Sequence, residues 1–270
     1  MARRIGLVAY HVFKESVRDK VLYNLVLFAT LMISASYLVG QLTAGQDIKI
    51  IKDLGLAASA VFGLFIAVFI GVGLVWKEVD RRSVYNVLVK PLRRHHFIVG
   101  KFVGLALTLL INLAVMATAV YLVLAVMAWT EPALARTASV DAPVVDPNLL
   151  KAFLLIYVQL LVVTALALFF STFSSPMLSA ALTFGLYVVG HFNADLAHFE
   201  HVVKSGAVAA VARALYFLLP NLAPFDVKAA VVHGQAVPAG YVLLTSAYGL
   251  LYAAALVGLA MLVFARRDFK

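Results

Sequence analysis

The chain has 270 residues, of which 64% are hydrophobic and only 13% charged, and its mean hydropathy is +0.99. A soluble domain is nearer half apolar and a quarter charged, so this balance excludes an ordinary soluble globule and points to membrane spans. The formal net charge of +9 does not indicate nucleic acid, because the basic residues cluster between apolar runs, as in the cytoplasmic anchoring of a membrane protein. Cysteine is absent, which excludes disulfides, thiolate metal sites and cysteine nucleophiles.

Met1–Lys20 does not read as a secretory signal, since His11, Lys14 and Glu15 break its apolar stretch and no small-residue cleavage site follows. Residues 2–19 read instead as an amphipathic helix. At 100° per residue, Ile5, Ala9, Val12, Phe13 and Val17 fall on one side, and Arg4, His11, Lys14, Glu15 and Arg18 on the other. The expectation is an interfacial helix, residues 1–20, with its bases towards lipid headgroups.

Uncharged runs follow at Val21–Gly40, Leu54–Trp76, Phe102–Trp129, Ala152–Gly190 and Gly240–Ala265. A helix needs about 20 residues to cross about 30 Å of hydrocarbon, so four of these runs suit one crossing each. As one helix, the 39 residues of the fourth would extend ~58 Å at ~1.5 Å each, nearly two bilayer cores. At its middle stand Ser174, Ser175 and Pro176. Proline removes a helix donor and pushes its predecessor out of the helical region, so two spans joined by a tight turn are expected. The fold class is therefore an all-α membrane protein of six transmembrane helices in a single domain, 1–270.

With the N-terminus inside, the inner segments hold 15 Lys and Arg and the outer segments 7, which favours that orientation. The tally is the same for five spans as for six, and span length makes the choice. Residues 130–148 are expected as an outer loop. Residues 191–239, broken by Pro220, Pro224 and Pro238, are expected to form short extracytoplasmic helices between spans five and six, one of them over His201–Leu219.

Residues 77–101, "KEVDRRSVYNVLVKPLRRHHFIVGK", hold seven of the 22 Lys and Arg. The Gly100-Lys101 pair within them invites comparison with a phosphate-binding loop. That loop requires G-x-x-x-x-G-K-[ST] after a buried strand. Here His95 stands at the first glycine and Phe102 at the hydroxyl, so the nucleotide reading is rejected. Glu78 to Val89 reads as a short helix stopped by Pro91, with Val84, Val87 and Leu88 on one side and Gly100-Lys101 opening the third span. A positive-inside anchor explains the charge alone, but not the mixture of Glu78, Asp80, Arg81 and Arg82. Both signs beside an apolar edge suit docking to another protein.

In this loop the chain resembles the permease subunits of ABC-2-type transporters, especially the branch linked to multicopper enzyme maturation. The family's loop runs roughly E-x-x-x-[RG]-[ST]…L-x-[KR]-P-x-x-R…G-K. This chain has Glu78, Arg82-Ser83, Leu88, Lys90-Pro91, Arg94 and Gly100-Lys101 in that order. "SSPMLSAALTFGLYVVGH" (174–191), "LLPNLAPFDVK" (218–228) and "FARRDF" (264–269) extend the likeness over almost the whole chain. The family's common Leu-Ser-[KR]-Pro is Leu88-Val89-Lys90-Pro91 here.

The resemblance implies a non-enzymatic permease, an exporter of the plasma (inner) membrane with both termini cytoplasmic. It implies no cofactor of its own, because ATP and magnesium belong to a separate cytoplasmic ATPase. The implied partners are that ATPase, a second permease copy and membrane lipids, with no nucleic acid. Glu78, Asp80, Arg81, Arg82, Lys90, Pro91, Arg94, Gly100 and Lys101 would couple the permease to the ATPase.

Three other readings stand beside it. An ion-coupled secondary transporter usually places ionisable residues within its spans, and the runs above hold none, their polar members being Asn24, Asn112, Gln159 and scattered Ser and Thr. An intramembrane hydrolase would need a catalytic constellation, and the spans offer no carboxylate pair. A non-transporting assembly factor for an envelope enzyme is the third. Asn112 and Gln159, with Gly71, Gly73, Gly249 and Ala253, read as helix-helix contacts. His191, Asp195, His198 and His201 share one side if helical. They read as a gate at the outer end of the fifth span, in preference to a metal site.

Overall fold

The computed structural model describes residues 2–41, 47–80, 94–130, 143–192, 216 and 219–266. The long helices are α1 (Ala2–Val17), α2 (Lys20–Gln41), α3 (Asp47–Asp80), α4 (Arg94–Thr130), α5 (Asn148–Ser171) and α6 (Pro176–His191). A 3-10 turn at Ala223–Phe225 leads to the short α7 (Lys228–Val232) and the long α8 (Ala239–Arg266).

The chain is an all-α, multi-pass membrane protein. Five helices, α2, α3, α4, α5 and α8, are long and apolar enough to cross a bilayer. The sixth expected span is shorter. α6 has 16 residues and extends ~24 Å at ~1.5 Å each, less than the ~30 Å hydrocarbon core.

The break that separates α5 from α6 falls where the proline demands it. Ser175 adopts an extended backbone, φ −70° and ψ 158°, and Pro176 occupies the first helical turn, where its missing N–H costs no bond. The last turn of α5 is closed by its own hydroxyls, Ser171 Oγ donating to Leu168 O and Thr172 Oγ1 to Phe169 O.

Three helices form the centre. α3, α4 and α5 touch one another, α2 covers the α3–α4 edge, α8 the α4–α5 edge and α6 the α3–α5 edge. α5 is accordingly buried on nearly every side, whereas α2, α4 and α8 each keep an outward apolar face that includes Leu31, Leu110 and Leu251. Small residues set the close approaches. A Cβ on Gly63 would stand 2.5 Å from Leu160, and one on Gly71 3.0 Å from Ala167. Gly249 and the buried Ala253 also serve as contact positions. Gly73 does not, since among the described residues nothing lies within 4 Å of its Cβ position.

The expected boundaries of the second and third spans are corrected. α3 continues unbroken through Glu78 to Asp80, so the expected helix from Glu78 to Val89 has no start of its own, and its remainder lies outside the described residues. α4 begins at Arg94, which places Gly100-Lys101 inside the helix and not at its opening. Residues 95–99 carry no breaker, and the packing of α1 on α4 holds this stretch helical.

Candidate functional site

At one end of the bundle the arms of the basic loop are the last turns of α3 and the first turns of α4. Glu78 and Asp80 stand in α3, and Arg94 opens α4. Arg81, Arg82, Lys90 and Pro91 lie outside the described residues. Gly100 and Gly104 provide the seat for α1. A Cβ on Gly100 would meet Val8 Cβ at 2.6 Å and Ile5 O at 3.2 Å. One on Gly104 would meet Val12 Cβ at 2.7 Å and Ala9 O at 2.8 Å. Glycines four apart present one bare helix face, which lets two backbones touch. Val8 pairs with Gly100 and Val12 with Gly104, so the two helices run in the same direction here.

The stretch that resembles half of a phosphate loop is thus a helix-helix seat. The apolar side of α1, with Ala9, Val12 and Ser16 buried, is taken by α4 and not by lipid. Lys101 is 0% exposed, with its Nζ 4.6 Å from the centre of the Phe97 ring, a cation–π distance. Phe97 in turn stacks on Phe264 of α8, 5.9 Å between centres and 22° between planes. The start of α4 is therefore gripped by α1 on one side and by the end of α8 on another.

The opposite end carries buried polar contacts that the sequence did not announce. Lys52, expected in a connection, is 1% exposed and lies in α3. Its Nζ donates to Pro143 O at 3.0 Å and lies 3.5 Å from Asp146 Oδ2. Asp146 Oδ1 accepts from the Asn148 N–H at 2.8 Å, which starts α5, and its carbonyl accepts from Tyr121 Oη at 2.9 Å. The expectation of spans free of ionisable groups is therefore corrected at Lys52, and also at Lys101 of α4 and Lys151 of α5, which stand within helices long enough to cross. A lysine two residues before an uncharged run reads as flanking, and only the distant Asp146 tells otherwise.

Gln159, deep in α5, reaches His191 at the end of α6, 2.9 Å between their Nε2 atoms. His191 Nδ1 lies 2.9 Å from Tyr187 O. A carbonyl only accepts, so Nδ1 carries the proton and Nε2 accepts from the Gln159 amide. Asn112 donates to Thr108 O within its own helix, at 2.7 Å. Of the proposed gate only His191 is described. Asp195, His198 and His201 lie outside the described residues, and among the described residues no three acidic or imidazole groups gather as a metal site.

Above His191 the chain returns as Leu219–Val227. Leu222 N–H donates to Gly190 O at 2.8 Å, and the Phe225 ring closes on Gly249. Tyr248 Oη accepts from the Asn221 N–H at 2.9 Å, and Tyr241 Oη donates to Pro224 O at 2.7 Å. Residues 219–228 therefore wedge between α6 and α8 beside Val158 of α5.

The family described as ABC-2 family transporter protein matches residues 7–269, nearly the whole chain, so this protein belongs to that family. Its members are permease components that perform no catalysis, and a role in transport across a membrane follows. No curated protein matches the chain.

Proposed function

We propose that the chain is the membrane-spanning half of an ATP-driven exporter. Two copies, or one copy and a related permease, would pair with two cytoplasmic ATPase subunits, which supply the ATP and magnesium chemistry. Residues 77–101 would receive the ATPase movement, with Glu78, Asp80, Arg81, Arg82, Lys90, Pro91 and Arg94 at the contact and Gly100-Lys101 in the arm that carries it onward. Six crossings, an inside N-terminus and an extracytoplasmic 191–239 segment complete this reading. It is supported by the excess of Lys and Arg on the inner segments and by the α5–α6 break at Pro176. The link to multicopper enzyme maturation rests on the motif resemblance. His191, with Asp195, His198 and His201, would gate the exit.

The observation that carries this reading is the family match over residues 7–269. The test is reconstitution of the permease with its cognate ATPase. ATP-dependent movement of cargo that stops when the ATPase nucleotide site is disabled supports the exporter. Envelope-enzyme maturation without any flux supports the assembly-factor reading. One observation favours ion-coupled transport as a second reading, the Lys52–Asp146 pair buried at one end of the spans. Flux driven by an ion gradient with no ATPase present would establish it.

A further inference from the structure

The junction of α1 and α2 forms an open charged cleft. Its walls are His11, Lys14 and Glu15 of the last turns of α1, Arg18 and Asp19 of the turn, and Lys20, which opens α2. The turn is closed by Arg18 N–H to Glu15 O and Asp19 N–H to Ser16 O. α2 is an apolar span from Leu22 onward, so the cleft lies at the level where hydrocarbon gives way to water. The seat of α1 on Gly100 and Gly104 holds one wall in place, and the cleft is formed before anything enters it. Exposed apolar side chains continue from both walls, Leu7 and Tyr10 on α1, Tyr23 and Leu27 on α2. They offer a surface for acyl chains beneath a polar group.

The mixture of charges selects the ligand. Three cationic side chains line the cleft, but two carboxylates stand among them. A site for simple attraction to acidic lipid gains from every lysine and loses from every carboxylate, which repels phosphate oxygens. A ligand bearing both signs makes use of both. We propose that this cleft binds the headgroup of a zwitterionic, primary-amine phospholipid of the phosphoethanolamine type. Lys14, Arg18 and Lys20 take the phosphate, and the Glu15 carboxylate accepts from the ammonium.

The test is competition on the full-length, detergent-purified protein. It is offered equal amounts of phosphatidylethanolamine, phosphatidylcholine and phosphatidylglycerol, and the retained lipid is counted by native mass spectrometry. Phosphatidylcholine keeps both charges, but its ammonium has no N–H to donate. Phosphatidylglycerol has the phosphate and no cation. Retention of phosphatidylethanolamine about tenfold over both is expected, the worth of one charge-assisted hydrogen bond. E15Q should bring the ethanolamine and choline lipids to parity, and the double variant K14Q/R18Q should lower retention of both. Phosphatidylglycerol held as tightly as phosphatidylethanolamine, or a preference unchanged in E15Q, overturns the proposal. Should a variant not purify as a single species, the competition on the unaltered protein decides alone.

Discussion

The ammonium of Lys52 lies 3.5 Å from the Asp146 carboxylate across 94 positions of sequence, with both side chains sealed from solvent. The pair ties the root of the α4–α5 connection to α3. Removing one member leaves a buried charge without its counterion, which costs about 3–5 kcal/mol. K52M is therefore expected to lower the thermal midpoint of the purified protein sharply. K52M/D146N, which keeps an oxygen for the Asn148 N–H, should recover part of the loss. A double variant as unstable as the sum of the singles would show that the two residues act independently.

The glycine seat gives a second expectation. Any side chain at Gly104 meets the Ala9 carbonyl as well as Val12, and a carbonyl on a helix cannot turn aside. G104L should separate α1 from α4 at a cost of about 1–3 kcal/mol or more. G73L, in the same size class but facing open space, should be nearly neutral. Equal midpoints for the two variants would remove the seat.

The coupling assignment predicts a defect of communication without one of folding. E78K and R82E should insert and purify normally but lose ATPase recovery or flux. Truncating a desolvated charged partner at an interface costs about 2–5 kcal/mol. Normal complex recovery and flux in both would take the loop out of the coupling role.

Crossing number can be read by single cysteines, because the chain has none of its own. A cysteine at Ser174 should react with an impermeant thiol reagent from the cytoplasmic side, and one at Asp195 from the other side. Labelling of both from one side would leave five crossings, with the short α6 as a hairpin arm.

The Gln159–His191 contact fastens α6 to α5. Q159L leaves His191 Nε2 without its donor, a loss of about 1–3 kcal/mol, and should lower the thermal midpoint of the purified protein. A midpoint unchanged in Q159L would show that the contact holds nothing in place.

The helical spans were legible because apolar length and the Pro176 break are local signals. The family was legible because Glu78, Lys90-Pro91 and Gly100-Lys101 keep their order. What escaped depends on partners far along the chain. Lys52 reads as flanking until Asp146 is beside it, and Gly100 and Gly104 show themselves as a helix seat only when Val8 and Val12 lie against them. Gly71 and Gly73 look alike in sequence, yet one meets Ala167 and the other meets nothing. The wedge at Leu219–Val227 was expected to carry breaks, but its insertion against Gly190 and Gly249 is tertiary and leaves no periodic trace.

The triangle of α3, α4 and α5 has one further consequence. Among the described residues, the crevice between these helices lined by Ile66, Leu105, Thr108 and Thr164 among others has no room for a water molecule. Thr108 and Thr164 also spend their hydroxyls on their own helices. In the proposed transport role, cargo would not thread this crevice. Its road would run along an outer flank such as those of α2, α4 and α8, whose exposed apolar side chains leave room for lipid or another protein to complete the wall.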